Sequence, residues 1–211
     1  MNYCQFRNET IRRMCNSATP ILPAEYQQVE YLQNSGGTNG ALIDGNPPIH
    51  INTGVDYFAD FEIRIRRINN NPTKFCGSGQ YYCLQRNNSE GYASFWNGSS
   101  IYVTSNQITN LATYAWINNV IYVNNIQVSQ LTKSLVNGEF TLYGCGAYGQ
   151  ASYFNDLQIY YCKLLDANGV LIRDYIPCYR KSDNSPGMYD LVTSTFNAGT
   201  GKGSFIVGPN V

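Results

Sequence analysis

Asp60 and Glu62 stand two residues apart in the run Asp-Phe-Glu-Ile-Arg-Ile-Arg-Arg, so an extended chain carries both carboxylates on one face. Two carboxylates so placed are the groups from which glycoside hydrolysis draws an acid and a nucleophile. Arg64 and Arg66 continue that face, and a solvated row of alternating charge explains the four residues better than an acid and base pair does. His50 is the only histidine and follows Pro47-Pro48. No nucleophile stands beside it in a recognisable motif, so it reads as a surface or loop residue rather than part of a Ser-His-Asp or Cys-His mechanism. Tyr92 and the run Trp96-Asn97-Gly98 offer a different chemistry. Placed at a strand end and turn, the aromatic rings can stack on a sugar while Asn97 hydrogen-bonds its hydroxyls. Against this, aromatics on sandwich strands are more often core. There is no phosphate-cradling glycine motif and no H-E-x-x-H; Gly199, Gly201 and Gly203 precede a strand rather than a helix.

Seven cysteines (Cys4, Cys15, Cys76, Cys83, Cys145, Cys162 and Cys178) are an odd number with no C-x-x-C pair, against both a zinc knuckle and a complete disulfide framework. They read as buried free thiols in a reducing compartment. The sequons at Asn8, Asn87 and Asn97 lack an export signal beside them and are taken as chance. The amino-terminal run has no apolar h-region for a signal peptide, so the chain is expected to fold where it is made. No segment approaches the roughly 18 apolar residues a membrane span needs.

The elements that must position these residues are short strands. Phe61, Ile63 and Ile65 alternate with Glu62, Arg64 and Arg66, the period of two expected when one strand face meets a core and the other meets water. Trp116-Ile117, Val120 to Val123 and Ile126 to Val128 are separated by Asn118-Asn119 and Asn124-Asn125. Asparagine tolerates the left-handed backbone of tight hairpins, so this segment is a predicted meander. Further runs at Tyr81 to Gln85, Tyr92 to Trp96, Ile101 to Ser105, Phe140 to Tyr143, Phe154 to Leu164 and Leu171 to Ile176 repeat the pattern, and no helical periodicity of ten residues interrupts them. Many short antiparallel strands in one domain predict an all-β antiparallel β-sandwich or jelly roll. Residues 1–22 differ: Arg12 and Arg13 lie among Phe6, Ile11 and Met14 at spacings that suit a short amphipathic helix, and Pro20 and Pro23 end it. The division is therefore an N-terminal arm, residues 1–22, and a sandwich domain, residues 23–211.

At 211 residues the chain is one ordinary domain with a tail. Charged residues make up 13%, about half of the roughly 25% typical of soluble domains, and 14 basic side chains cancel 14 acidic ones. Neither a phosphate backbone nor an anionic membrane is attracted strongly, so nucleic-acid binding is not expected. Tyr, Asn, Gly, Ser and Thr replace charge, which suits recognition by hydrogen bonds and stacking, or assembly with other copies.

The stretch Leu22-Pro-Ala-Glu-Tyr-Gln-Gln-Val-Glu-Tyr-Leu32 resembles the opening strand of concanavalin A-like, laminin-G-like jelly rolls found in gut bacteria and their bacteriophages. Phe154 to Tyr160, Leu171 to Arg180, Gly187 to Leu191 and Phe196 to Gly201 resemble that group's carboxy-terminal signature in order and spacing. Ile121 to Asn125 is similar to the laminin-G strand that usually ends in Asn-Gly, with Asn125 in place of the glycine. Read physically, Pro177 forces Ile176 to be extended and removes a ladder donor, so the strand is expected to end or lie on an edge there. Asp183 to Gly187 is a reversal, and Tyr189-Asp190 returns antiparallel. Arg173, Asp174, Arg180 and Asp190 are expected to fix this closing hairpin by buried or half-buried polar contacts.

The resemblance implies the fold over roughly residues 22–207; its fold hosts lectins, glycosidases, adhesins and virion components alike. The Glu-x-Asp-x-x-Glu run that the glycosidases of this shape carry is missing, so an enzyme is not expected. Laminin-G relatives bind calcium at the sandwich rim, and Asp44, Asp56 and Asp60 are the nearest candidates by type; no cofactor is required, and their spacing matches no dedicated calcium loop. The phage relatives, the arm and the uncharged surface together point to a non-enzymatic bacteriophage virion protein, a head or tail decoration or fibre component made in the host cytoplasm. On this view the arm contacts other virion proteins, the chain forms a homo-oligomer with a trimer favoured, and the exposed jelly roll takes a host glycan. The alternative is a carbohydrate-binding module of a bacterial surface protein.

Overall fold

A computed structural model describes residues 22–34, 49–52, 60–68, 74–78, 82–86, 91–133, 139–143, 157–198 and 205–211. In chain order the strands are β1 Tyr26–Gln28, β2 Leu32–Asn34, β3 Ile49–Asn52, β4 Asp60–Arg67, β5 Lys74–Ser78, β6 Tyr82–Arg86, β7 Tyr92–Trp96, β8 Ile101–Gln107 and β9 Ala112–Ile117. They continue with β10 Val120–Val123, β11 Ile126–Gln130, β12 Glu139–Leu142, β13 Leu157–Leu165, β14 Leu171–Arg180, β15 Ser185–Asp190, β16 Thr195–Ala198 and β17 Phe205–Val207. The larger sheet runs β11-β10-β9-β4-β13-β14-β15-β16, with β1 against β14 and β2 between β13 and β17; the smaller runs β3-β12-β5-β6-β7-β8. Every pairing is antiparallel, and the chain is all-β among the described residues. With no helix described, none is long and apolar enough to cross a membrane.

Alternation on β4 builds the joint between the sheets. Phe61, Ile63 and Ile65 are buried while Arg64 is exposed. Phe61 lies 6.3 Å from Phe95 of β7 and 5.6 Å from Phe140 of β12, and Phe95 meets Trp116 of β9 edge-on at 5.8 Å. One aromatic layer thus bridges both sheets, which makes the architecture a sandwich; each such ring pair adds about 0.5–1.5 kcal/mol beyond area burial. At one side the Tyr102 hydroxyl of β8 donates to the Val128 carbonyl of β11 at 3.2 Å, tying edge strand to edge strand.

The asparagine turns are where the sequence places them. Asn118 and Asn119 have φ of 49° and 65°, Asn124 and Asn125 of 49° and 69°, so both central residues of each two-residue loop are left-handed, as hairpin twist demands.

Pro177 departs from expectation. It neither ends β14 nor lies on a free edge: the strand runs on to Arg180, and Pro177 stands opposite Met188 of β15. In an antiparallel ladder a residue turns its nitrogen and its carbonyl to the same side. The Pro177 carbonyl accepts from the Val29 N–H at 3.0 Å, so its donor-free nitrogen also faces away from β15. That side is where β14 changes neighbour, from β13, which it leaves at Tyr175, to β1, which it meets at Cys178. A missing donor costs nothing at such a gap.

Cys76, Cys83, Cys162 and Cys178 are buried free thiols; Cys4, Cys15 and Cys145 lie outside the described residues, as do the arm residues Phe6, Ile11, Arg12, Arg13 and Met14.

Candidate functional site

Two places bring chemistry-bearing side chains together. The first is the outer face of the smaller sheet. Ala93 and Phe95 belong to the core, so alternation turns Tyr92, Ser94 and Trp96 to the other face of β7, where Ser94 is buried and the two rings are half-buried. The two half-buried rings are four residues apart, about 13 Å along a strand, long enough to lie along a short oligosaccharide rather than under a single ring. Register adds the neighbours: Gln85 stands opposite Ser94, Cys83 and Ile101 flank Trp96, and Val103 stands across from Ser94 on β8. Ser94 Oγ donates to the Gln85 carbonyl at 3.3 Å, and the Cys83 thiol donates to Gln85 Oε1 at 3.4 Å. The side chains named on this face are uncharged, Cys83 is buried and Ile101 is half exposed, while Arg86 of β6 stands opposite Ala93. Gln85 and Ile101 escaped the sequence reading because only strand register places them beside the rings.

Asn97 does not serve this face as expected. Its Oδ1 accepts from the Ser99 N–H at 3.1 Å, the Ser100 N–H at 2.7 Å and the Ser99 hydroxyl at 3.2 Å, while Nδ2 donates to the Thr132 carbonyl at 2.9 Å. The amide holds the turn after β7, with Gly98 at φ 90°, and its oxygen is spent before any sugar arrives.

The second place is the amino end of β4. Asp60 is 4% exposed, so it does not belong to the solvated row; only Glu62, Arg64 and Arg66 form that row. Glu62 Oε1 accepts from the Tyr161 hydroxyl at 2.8 Å, and Arg66 Nε donates to Gln158 Oε1 at 3.1 Å. Asp60 instead faces Lys133: its Oδ1 is in contact with Lys133 Nζ, and its Oδ2 accepts from the Asn118 N–H at 2.9 Å. Lys133 Nζ also donates to the Trp116 carbonyl at 3.2 Å and lies 5.7 Å over the Trp116 ring. Burial pushes the lysine down to about 7 even with a carboxylate beside it. Lys133 thus occupies one oxygen of Asp60, and no group of three His, Cys, Asp or Glu able to hold a metal ion occurs among the described residues. Asp44 and Asp56 lie outside those residues. Nothing in the sequence announces Lys133, whose partner is 73 residues away.

The closing hairpin holds the remaining expected residues. Asp190, 0% exposed, accepts from the N–H groups of Asp174 at 2.9 Å and Val192 at 3.0 Å and from the Thr193 hydroxyl at 2.6 Å; Arg173 Nε stands 3.5 Å away. Burial pushes the Asp174 carboxyl up, with Lys163 opposing. Arg180 grips Asp183 through Nε at 3.1 Å and Nη2 at 2.6 Å, and its guanidinium lies 5.6 Å over the Phe196 ring. Tyr189 packs against Tyr26 at 5.0 Å. All of these contacts are internal to the sheet and none converges on an open site, so the hairpin is a structural closure.

No protein-family model matches the chain, and no curated protein matches its sequence.

Proposed function

We propose that this chain is a non-enzymatic component of a bacteriophage particle, a head or tail decoration or fibre protein, that displays a lectin-like jelly roll for host surface glycans. The outward row of Tyr92 and Trp96 on β7 carries this reading. Two rings on a rigid strand, bordered by the Gln85 amide and the Ile101 side chain, offer apolar faces for sugar rings with polar groups at the rim. A flat strand face with few ionisable side chains suits neutral polysaccharide better than a charged ligand. The resemblance of the opening and closing strands to phage and gut-bacterial jelly rolls supplies the setting, the virion. In it, residues 1–22 anchor the chain to other virion proteins and symmetric self-assembly, as a trimer, multiplies a weak sugar contact. No cofactor is required on this reading.

A glycan array probed with the full chain, with and without calcium, tests it. Wild type is expected to bind a defined set of glycans and Trp96→Ala to lose at least tenfold in affinity, about 1.4 kcal/mol. No binding under either condition defeats the lectin reading. Deletion of residues 1–22 is expected to abolish particle incorporation; incorporation of the shortened chain defeats the anchoring reading, and glycan binding with no particle association moves the chain to a bacterial carbohydrate-binding module.

A further inference from the structure

Lys133 and Asp60 are two groups able to condense with each other, buried together and held from both sides. Their side chains are 9% and 6% exposed, so water is largely excluded from the contact. Asp60 is fixed as the first residue of β4, paired across to Leu165 of β13. Lys133 is fixed by its backbone: its N–H donates to Asn119 Oδ1 at 2.8 Å, the Leu131 N–H donates to the Asn119 carbonyl at 2.8 Å, and Trp116 Nε1 donates to the Leu131 carbonyl at 2.8 Å. The segment after β11 is thus clamped onto the β9–β10 turn, and the turn's own Asn118 N–H holds Asp60 Oδ2.

We propose that Lys133 and Asp60 become joined by a side-chain amide, an intramolecular isopeptide bond that staples the segment after β11 to the start of β4. In the step, the lone pair of the uncharged Lys133 amine adds to Cγ of Asp60, forming a C–N bond. One C–O bond of the carboxyl then breaks, and its oxygen departs as water with one hydrogen from the carboxyl and one from the amine. Counted from the ion pair, an ammonium and a carboxylate give one amide and one water, and no oxidant, reductant or co-reactant enters. The Asn118 N–H lies on the oxygen that remains as the amide carbonyl, where it stabilises the negative charge that attack places there. The Trp116 carbonyl, 3.2 Å from Nζ, takes one N–H and orients the nitrogen. Holding amine and carboxyl in contact removes the entropic cost of bringing them together, and the dry, ring-lined site favours the uncharged pair over two buried charges and keeps water from reversing the step.

Mass spectrometry of the reduced, denatured full chain, with Lys133→Arg and Asp60→Ala prepared in the same way, decides the matter. Wild type is expected to weigh one water less than its sequence, and its tryptic digest to contain a branched peptide joining the Asp60 segment to the Lys133 segment. Both variants are expected at full mass with no branched peptide. Wild type at full mass after prolonged incubation of the folded protein overturns the proposal and leaves an ion pair; a water loss that fragmentation places at another residue overturns it equally.

Discussion

Asp60 and Asp190 are both carboxylates sealed from solvent at a strand end, and they are satisfied in opposite ways. Asp190, at the end of β15, has two backbone N–H groups and a hydroxyl on its oxygens, with Arg173 at a distance. Its charge is spread over fixed dipoles that the fold supplies anyway. Asp60, at the start of β4, has one backbone N–H and one flexible amine from a residue remote in the chain. A buried charge met by neutral donors is a structural joint, whereas a buried carboxyl met by a buried amine is a pair of reactants. The two sites show how burial of the same side chain yields a fastener in one place and chemistry in another.

Substitutions that separate the two sites should follow in decreasing effect. Lys133→Met leaves Asp60 buried against a single N–H and removes the cross-link, and is expected to cost about 3–5 kcal/mol in denaturant unfolding, while the double change Asp60→Leu with Lys133→Met recovers the part due to the stranded carboxyl and not the part due to the lost cross-link. A double variant as unstable as the sum of the singles would show that the residues do not act as a pair. Asp190→Ala strands two N–H groups and is expected to cost about 2–4 kcal/mol, with no second-site change at Arg173 able to recover it. Gly187→Ala should cost about 1–3 kcal/mol: an added Cβ would lie 2.6 Å from the Asn197 carbonyl and 2.6 Å from the Phe196 ring, which stacks on Tyr26. The smallest effect is one of pH. Because burial raises the Asp174 carboxyl above its ordinary 3.8, the folded state holds that proton longer than the unfolded chain. Its contribution is therefore fully present below 3.8 and lost as pH rises through the raised value, so Asp174→Asn should flatten the stability profile over that acid window.

Local pattern made the strands legible and left the sites half read. The Phe61, Ile63, Ile65 alternation and the paired asparagines each express their conformation within a few residues, and the sandwich follows from them. Pro177 was misread because its cost depends on which neighbour faces its nitrogen, a property of the sheet and not of the strand. Asn97 carried a legible warning, since asparagine followed by Gly98 and Ser99 forms side-chain turns of this kind. Asp60 looked solvated because Arg64 and Arg66 share its face; the partner that buries it lies 73 residues further on, beyond seven strands, and no periodicity reaches that far.

The most direct measurement is a comparison of intact masses, under reducing and denaturing conditions, for wild type, Asp190→Ala and Asp60→Ala. If the two carboxylates differ as argued, wild type and Asp190→Ala each lack the mass of one water and Asp60→Ala does not. Full sequence mass in all three would contradict the account, and Asp60 would then be a fastener like Asp190.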